Sequence, residues 1–402
     1  MRPSLVLWFC LSLVIPVHAD GTRLLDEDEA GLWMLVEKHE QHLRTSSRII
    51  KDAGLAEYLK GLSCRVVPDT CENLRVYPIR APGFNAFMMP NGAMFVQSGL
   101  LLRVHDEAEL AAILGHETSH FVRGHSISRI RKWHKTSSAF AVAGALVSAV
   151  GAVAVNSAGS YEQASNAADL SNTASLMVQT AGIVAAFQLV AYGREQESEA
   201  DVDGFEWLHN SGFDPNGAVR VWRRLLIEQE AGGENSGFSL LATHPTPEKR
   251  LEELGNRAAN LDYGSSDSAT LLQLIEPNRQ DWLNDELHVQ HPGQFAAITE
   301  DQISLGVTKG FGHYLQAKSW MRHAIQEKSE SRRTESYEKA IAAFQKGDAS
   351  ESGLPANGYR EWGKLCVSLN FPEDAKKHFS KYLELRPDAW DANFVNREMQ
   401  SL

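Results

Sequence analysis

The stretch that decides the fold is DEAELAAILGHETSHFV, residues 106–122. Its apolar residues recur at helical spacing, with Leu110, Ile113 and Leu114 on one face. Asp106 and Glu107 stand at its start, where negative charge stabilises the positive end of a helix dipole. We therefore predict an amphipathic helix over residues 106–122.

Two histidines within this helix carry the first chemical signal. His116 and His120 are four residues apart, so their imidazoles share a face and can fill two tetrahedral positions on one zinc ion. Glu117 follows His116 directly, so its side chain is rotated by about a quarter turn around the helix axis and points past the metal toward the bound water. Zinc lowers the pKa of a bound water to about 7, so that a carboxylate can remove its proton. The five-residue pattern predicts a zinc site with Glu117 as general base, although the pattern also arises by chance in helices.

A group of glutamates supplies the third ligand. Glu195, Glu197 and Glu199 lie 75 to 79 residues beyond His120. Glu197 is four residues before Asp201 on the same helix face, so Glu197 can bind zinc while Asp201 accepts an N–H from a ligand histidine. The alternative is a solvated acidic helix face. Beside the histidine pair we favour Glu197 as ligand and Asp201 as its supporting acceptor.

The flanking sequence predicts more helix than strand. Strand-like segments occur at residues 74–79 and 93–97, and Asn91-Gly92 between apolar residues is a strong turn signal. Helical periodicity continues elsewhere, at residues 26–62, 193–211, 216–230 and 248–259.

These motifs resemble those of the gluzincin metallopeptidases that include the CAAX prenyl protease and the bacterial heat-shock membrane protease. The resemblance rests on His116–His120, on the segment Arg194–Asp201, and on the approach to the histidines at 85–92 and 107–111. It implies an α+β, mainly helical zinc metallopeptidase domain over residues 20–260, with a small antiparallel sheet. Strand 93–97 would lie at the edge of that sheet, where an extended peptide can pair.

The resemblance also draws attention to His244, which matches the His-Pro of the family, and to Arg250, which matches a downstream basic position. His244 could stabilise the oxyanion of the tetrahedral intermediate. It could instead bind zinc as a fourth ligand and keep the enzyme latent, or it could be a helix-entry residue without a catalytic role. His125 is expected to be structural.

The N-terminus reads as an export signal over residues 1–19, with a charge at Arg2, an apolar run and a small-residue cleavage site ending at Ala19. We therefore expect a periplasmic protein. In such an oxidising compartment Cys64 and Cys71 could pair across a hairpin or remain free thiols, and Cys366 is expected in a core. The net charge of -12, without a basic stripe, argues against a nucleic-acid partner.

Two uncharged runs, residues 139–155 and 171–193, predict a helical hairpin. The basic stretch before them would suit a membrane-spanning pair. The first run is short and rich in alanine, and the second contains polar amides, so we favour a hairpin that is buried or makes peripheral membrane contact.

The C-terminal sequence predicts a linker and connecting helices over residues 261–311 and a tetratricopeptide-like helical tail over 312–402. Trp362-Gly363, Ala375, Phe379 and Pro387 fit one repeat unit, and Ala340 and Phe344 lie 35 residues before Ala375 and Phe379. An ordinary helical bundle is the alternative.

The layout of export signal, protease domain and helical tail is most similar to periplasmic members of the group that act in outer-membrane assembly. We expect a metalloendopeptidase with one Zn²⁺ per chain that cleaves unfolded or misassembled envelope proteins, with the tail recruiting outer-membrane proteins or their assembly machinery. One rival is an assembly chaperone or adaptor with latent protease activity. Another is an integral membrane protease.

Overall fold

The structure is a computed structural model that describes residues 27–128, 192–233 and 247–402. Within these ranges the chain is mostly helical, with one small sheet. The N-terminal helices are α1 Glu27–Thr45, α2 Ala53–Val66, α3 Ser98–Leu101, α4 Glu107–Val122, α5 Arg194–Asn210, α6 Asn216–Gly232 and α7 Pro247–Ala258. They are followed by α8 Ala269–Val289, α9 Pro292–Ser304, α10 Lys309–Gln326, α11 Glu330–Ala349, α12 Ala356–Ser368, α13 Pro372–Leu385 and α14 Ala392–Ser401. The strands are β1 Arg75–Ile79, β2 Ala86–Met88 and β3 Ala93–Gln97, and a 3-10 helix spans Pro68–Asn73.

The sheet is mixed, so the prediction of an antiparallel sheet was wrong for one of its two strand pairs. The strand order is β1-β3-β2, with β3 antiparallel to β2 and parallel to β1. The predicted turn at Asn91-Gly92 folds β3 back along β2, and Gly92 adopts φ 86°, which favours glycine. The hairpin thus places β3 between the other two strands, where it runs in the same direction as β1.

The prediction that strand 93–97 forms the sheet edge was also wrong. β3 pairs with a strand on each side, and all five of its residues are buried. The short strand β2 has β3 on one side only within the described sheet. The edge beside the candidate site is therefore β2.

Helix α4 forms where the sequence predicts it, and its start is fixed by a cap. The Asp106 side chain accepts a hydrogen bond from the backbone N–H of Glu109 at 2.9 Å. The helix packs against α5, α6, α2 and β2. At Gly204 of α5 an added Cβ would lie 2.8 Å from the backbone nitrogen of His116, so glycine permits this close approach of α5 to α4.

The main hydrophobic core extends beyond the predicted protease domain. It unites Leu110 and Phe205 with Trp282 of α8 and Phe295 of α9, all of them buried. Helices α8 and α9 thus pack into the same core as α4. A second core, built around Phe344, Trp362 and Phe379, lies in the C-terminal helices.

A buried ion cluster joins α6 and α8 to the segment after α3. The Arg103 guanidinium lies 2.8 Å from carboxylate oxygens of both Glu228 and Glu286. All three side chains are almost completely buried. Two carboxylates thus share one guanidinium in a region where unpaired charge is costly.

Two of the described cysteines form a disulfide bond, and a third is a free thiol. Cys64, near the end of α2, and Cys71, in the 3-10 helix, form a disulfide bond. The bond therefore links two helical segments rather than the strands of a hairpin. Cys366 is a free, buried thiol, as predicted.

The C-terminal helices form packed pairs, α10 with α11 and α12 with α13. Gly363 permits the second pair to approach closely, because an added Cβ would lie 2.6 Å from the Phe379 ring. Ala340, Phe344, Ala375 and Phe379 are fully buried. The tetratricopeptide interpretation of these pairs stays a prediction.

None of the helices in the described ranges is long and apolar enough to cross a membrane. The export signal at 1–19, the run 139–155 and almost all of 171–193 lie outside the described residues. The expectations about export and membrane contact therefore stay predictions.

The ion cluster predicts a pH-dependent contribution to stability. Burial raises the pKa of Glu228 from 4.5 to about 7, despite the opposing effect of Arg103. The preference of the folded chain for protonated Glu228 contributes stability that is complete below pH 4.5 and is lost as the pH rises through 7. Between these values the free energy of unfolding falls by up to about 1.4 kcal/mol per pH unit. Glu228→Gln should therefore lose less stability than wild type between pH 5 and pH 8.

Urea unfolding of both proteins at the two pH values measures this difference. Equal pH dependence in wild type and variant would show that Glu228 is ionised alike in the folded and unfolded chains.

Candidate metal centre

Three buried side chains from two helices meet at one point. α4 supplies His116 and His120, α5 supplies Glu197, and their candidate ligand atoms all lie within 4.8 Å of one another. The Nε2 atoms of the two histidines are 3.2 Å apart. The Glu197 oxygens lie 3.5 Å from Nε2 of His116 and 3.6 Å from Nε2 of His120.

These separations fit a tetrahedral metal. Two ligands bound to tetrahedral zinc at the usual lengths of about 2.0–2.1 Å are roughly 3.4 Å apart. Two imidazole nitrogens with one carboxylate, leaving a fourth position, form a donor set typical of catalytic zinc sites. His116, His120 and Glu197 could therefore hold one zinc ion.

Glu117 lies beside this cluster on the wall of an open cleft of about 530 Å³. The glutamate is only 4% exposed. The cleft runs between the start of β2 and helices α4, α5, α6 and α7. Its apolar lining comprises Phe84, Ala86, Ala112, Ile113, Gly204, Phe205, Ala218, Val221, Trp222 and Leu254.

Asp201 lies behind the first histidine. Its Oδ1 is 3.0 Å from Nδ1 of His116, on the side of the ring away from Glu197. Burial alone would raise the pKa of Asp201, but the charges of Arg250 and His116 outweigh it and hold the pKa below its ordinary value. The carboxylate is therefore ionised and fixes the proton of the imidazole on Nδ1.

Arg250 on α7 connects the two acidic groups. Its Nε donates to Asp201 at 2.8 Å, and its Nη1 lies 3.5 Å from Glu197. The guanidinium stacks 3.7 Å from the ring centroid of Trp222. The family match in the sequence marked Arg250, but only the structure shows that its charge balances the carboxylates of the site.

The same neighbours determine how His116 titrates. Burial and the Arg250 charge lower its pKa, whereas Asp201 and Glu197 raise it by more, to about 9. In the metal-free chain His116 is therefore protonated at neutral pH. A metal ion has to displace this proton.

The second histidine has neighbours that the sequence analysis missed. Nδ1 of His120 is 2.9 Å from Nδ1 of His125, whose Nε2 is 3.1 Å from Glu199. The Tyr192 ring stacks on His120 at 3.6 Å between centroids. The one available signal was Gly124, whose φ of 65° turns the chain after α4 and brings His125 back toward His120.

The three glutamates of the predicted acidic group therefore have different surroundings. Glu197 is buried at the cluster, Glu199 contacts His125, and Glu195 is exposed. His244 lies outside the described residues, so its proposed roles stay predictions.

Comparison with known proteins finds relatives of the segment that carries this geometry. The sequence profile of peptidase family M48 matches residues 67–258, the segment that contains every side chain of the cluster. The chain is similar to the beta-barrel assembly-enhancing protease of Escherichia coli K12, with 27% identity over 269 residues, covering 63% of this chain and 51% of the relative. It is also similar to the mitochondrial metalloendopeptidase OMA1 of Schizosaccharomyces pombe, with 31% identity over 179 residues, covering 44% and 45% of the two chains.

A putative beta-barrel assembly-enhancing protease of Vibrio cholerae is 29% identical over 221 residues, covering 54% of this chain and 42% of the relative. The chain thus spans about half the length of the curated relatives it matches.

Two aspartates on α5 test the role of the His116 contact. Asp201→Asn removes the charge that holds the Nδ1 proton, and we expect zinc affinity to fall by about 10–100-fold. Asp203→Asn is the matched control, because Asp203 bonds Ser119 and Arg123 of the same interface. Chelator competition measures both dissociation constants, and equal affinity in the two variants would contradict the role given to Asp201.

Proposed function

We propose that the chain, whose residues 67–258 match the profile of peptidase family M48, is a zinc metalloendopeptidase that cleaves unfolded or misassembled proteins of the cell envelope. The observation that carries the proposal is the buried cluster of His116, His120 and Glu197 with Glu117 beside it on the cleft wall. This arrangement supplies a metal site and a general base in one place.

The roles of the side chains follow from their positions. His116, His120 and Glu197 would hold the zinc, which when bound supplies a Lewis acid that acidifies water and polarises the scissile carbonyl. Glu117 takes the proton of the attacking water and delivers it to the departing amine. Asp201 keeps the proton of His116 on Nδ1, and Arg250 offsets the negative charge. His244 would stabilise the oxyanion or, in a latent form, block the metal.

The cleft supports a substrate with apolar side chains. Phe84, Phe205, Trp222 and Leu254 line it next to Glu117. Folded proteins bury such side chains, whereas unfolded and misassembled proteins expose them. The lining therefore favours unfolded polypeptides over folded ones.

The edge strand β2 offers backbone pairing to that substrate. Backbone bonds join Met89 to Ala93 and Gln97 to Asn85, so by antiparallel alternation the N–H and C=O groups of Ala86 and Met88 face away from β3. The Ser126 hydroxyl donates to the Met88 carbonyl at 3.3 Å. We infer that an extended substrate pairs mainly with Ala86, which also lines the cleft.

The biological role is supported by relatives and layout. Two of the relatives are named as beta-barrel assembly-enhancing proteases. On this support the proposal includes export to the periplasm and recruitment of outer-membrane proteins, or of their assembly machinery, by a tetratricopeptide-like tail at 312–402. Peripheral membrane contact through 139–155 and 171–193 remains part of the proposal.

Glu117→Gln separates a working peptidase from an adaptor. We expect the variant to bind one zinc per chain like wild type but to lose cleavage of an unfolded model protein by at least about 100-fold, because a general base contributes 10²–10⁴-fold. Zinc content and peptide release are measured in parallel. Wild type that binds zinc without cutting would point to an adaptor or a latent site, and wild type without zinc would overturn the mechanism.

Ala86→Pro tests the edge strand. Proline removes the outward N–H without removing a bond to β3, so the fold should persist. The loss of one substrate hydrogen bond should lower kcat/KM for an unfolded protein about 3–10-fold, with zinc affinity unchanged. Unchanged kcat/KM in a folded, zinc-loaded variant would rule out pairing at Ala86.

A further inference from the structure

The two histidines of the metal cluster are supported differently at their outer nitrogens. His116 has the Asp201 carboxylate at 3.0 Å from Nδ1. His120 has a second imidazole at the corresponding place, with Nδ1 of His125 at 2.9 Å. A neutral ring can be donor or acceptor there, so this contact depends on which nitrogen of each ring carries the proton.

The position of the proton on each ring follows from the requirement that His120 binds a metal. Two Nδ1 atoms at hydrogen-bond distance can share only one proton. If His120 is to bind a metal through Nε2, its own proton must be on Nδ1 and donated to His125. His125 then carries its proton on Nε2, which lies 3.1 Å from Glu199. The opposite arrangement would put a proton on Nε2 of His120 and prevent ligation.

Resting on the proposed zinc function, we infer that His125 is a positioning residue, which accepts the Nδ1 proton of His120 and is itself held in the required tautomer by Glu199. His125 touches neither substrate nor metal in this arrangement. It acts on the metal site through the orientation and tautomer of His120.

The surroundings hold His125 firmly in this position. His125 as a whole residue is 5% exposed. The next residue, Ser126, has its hydroxyl 2.8 Å from the Tyr192 hydroxyl and 3.3 Å from the Met88 carbonyl of β2. Tyr192 in turn stacks on the His120 ring. The segment that carries His125 is thus joined to both the edge strand and the second ligand.

The charge of the site explains why an imidazole, that of His125, contacts His120 instead of a carboxylate. Glu197 and Asp201 already bring two buried carboxylates, which one guanidinium, that of Arg250, offsets. A third carboxylate against His120 would add buried negative charge and weaken the metal as an electrophile. His125 orients the ring without net charge, and the Glu199 side chain, 48% exposed, leaves that negative charge at the surface near Arg123.

Zinc affinity of matched variants tests the inference. His125→Leu should weaken zinc binding about 10–100-fold. His125→Asn should lie between the leucine variant and wild type, since its amide oxygen can accept the Nδ1 proton. His313→Leu is the control, because His313 is a buried histidine that contacts Gln316 in α10, away from the cluster. Its zinc affinity should match wild type.

Nitrogen-15 NMR of the zinc-loaded wild type gives a second readout that needs no variant. We expect His125 to be neutral, with its proton on Nε2, and we expect Glu199→Gln to weaken zinc binding less than His125→Leu. Wild-type affinity in His125→Leu, or a His125 proton on Nδ1 alone, would overturn the inference. If His125→Leu does not fold, the asparagine variant and the NMR tautomer decide. A wild type that binds no zinc would instead reject the proposed function.

Discussion

The contact between α4 and α5 is the constraint on which the rest of the site depends. At Gly204 the two backbones approach so closely that a Cβ would lie 2.8 Å from the His116 nitrogen, and at Gly115 a Cβ would meet Gly204 at 3.3 Å. This approach lets a carboxylate on a short glutamate side chain reach two imidazoles on the facing helix. A wider spacing would leave Glu197 as a buried carboxylate without the donor geometry of a metal site.

Bringing these groups together concentrates charge in the interior, and two features of the fold limit the uncompensated charge there. Arg250, stacked on Trp222, contributes a buried positive charge to the carboxylates of Asp201 and Glu197. On the other side His125 supplies a neutral partner for His120. Such pairing matters because an uncompensated buried charge costs several kcal/mol, of the order of 3–5 when one partner is removed.

The sequence alone was enough to predict those parts of the site whose geometry depends on the spacing of residues within one helix. His116, Glu117 and His120 belong to one helix, and Glu197 and Asp201 are four residues apart on another, so helical spacing alone predicts which side chains share a face. It failed where the geometry depends on distant pairing. The position of β3 at the sheet centre follows from its parallel pairing with β1, which a local strand pattern does not encode. The contact of His125 with His120 was not predicted, because it requires the reversal at Gly124. The packing of α8 and α9 into the main core has no local signature either.

The central claim is that one metal is held by the three side chains that meet between α4 and α5. Diffraction data collected at the zinc absorption edge from zinc-loaded crystals test it most directly. We expect one anomalous peak about 2.0–2.2 Å from Nε2 of His116, Nε2 of His120 and a carboxylate oxygen of Glu197. A peak elsewhere, or one without Glu197 among its ligands, would contradict it.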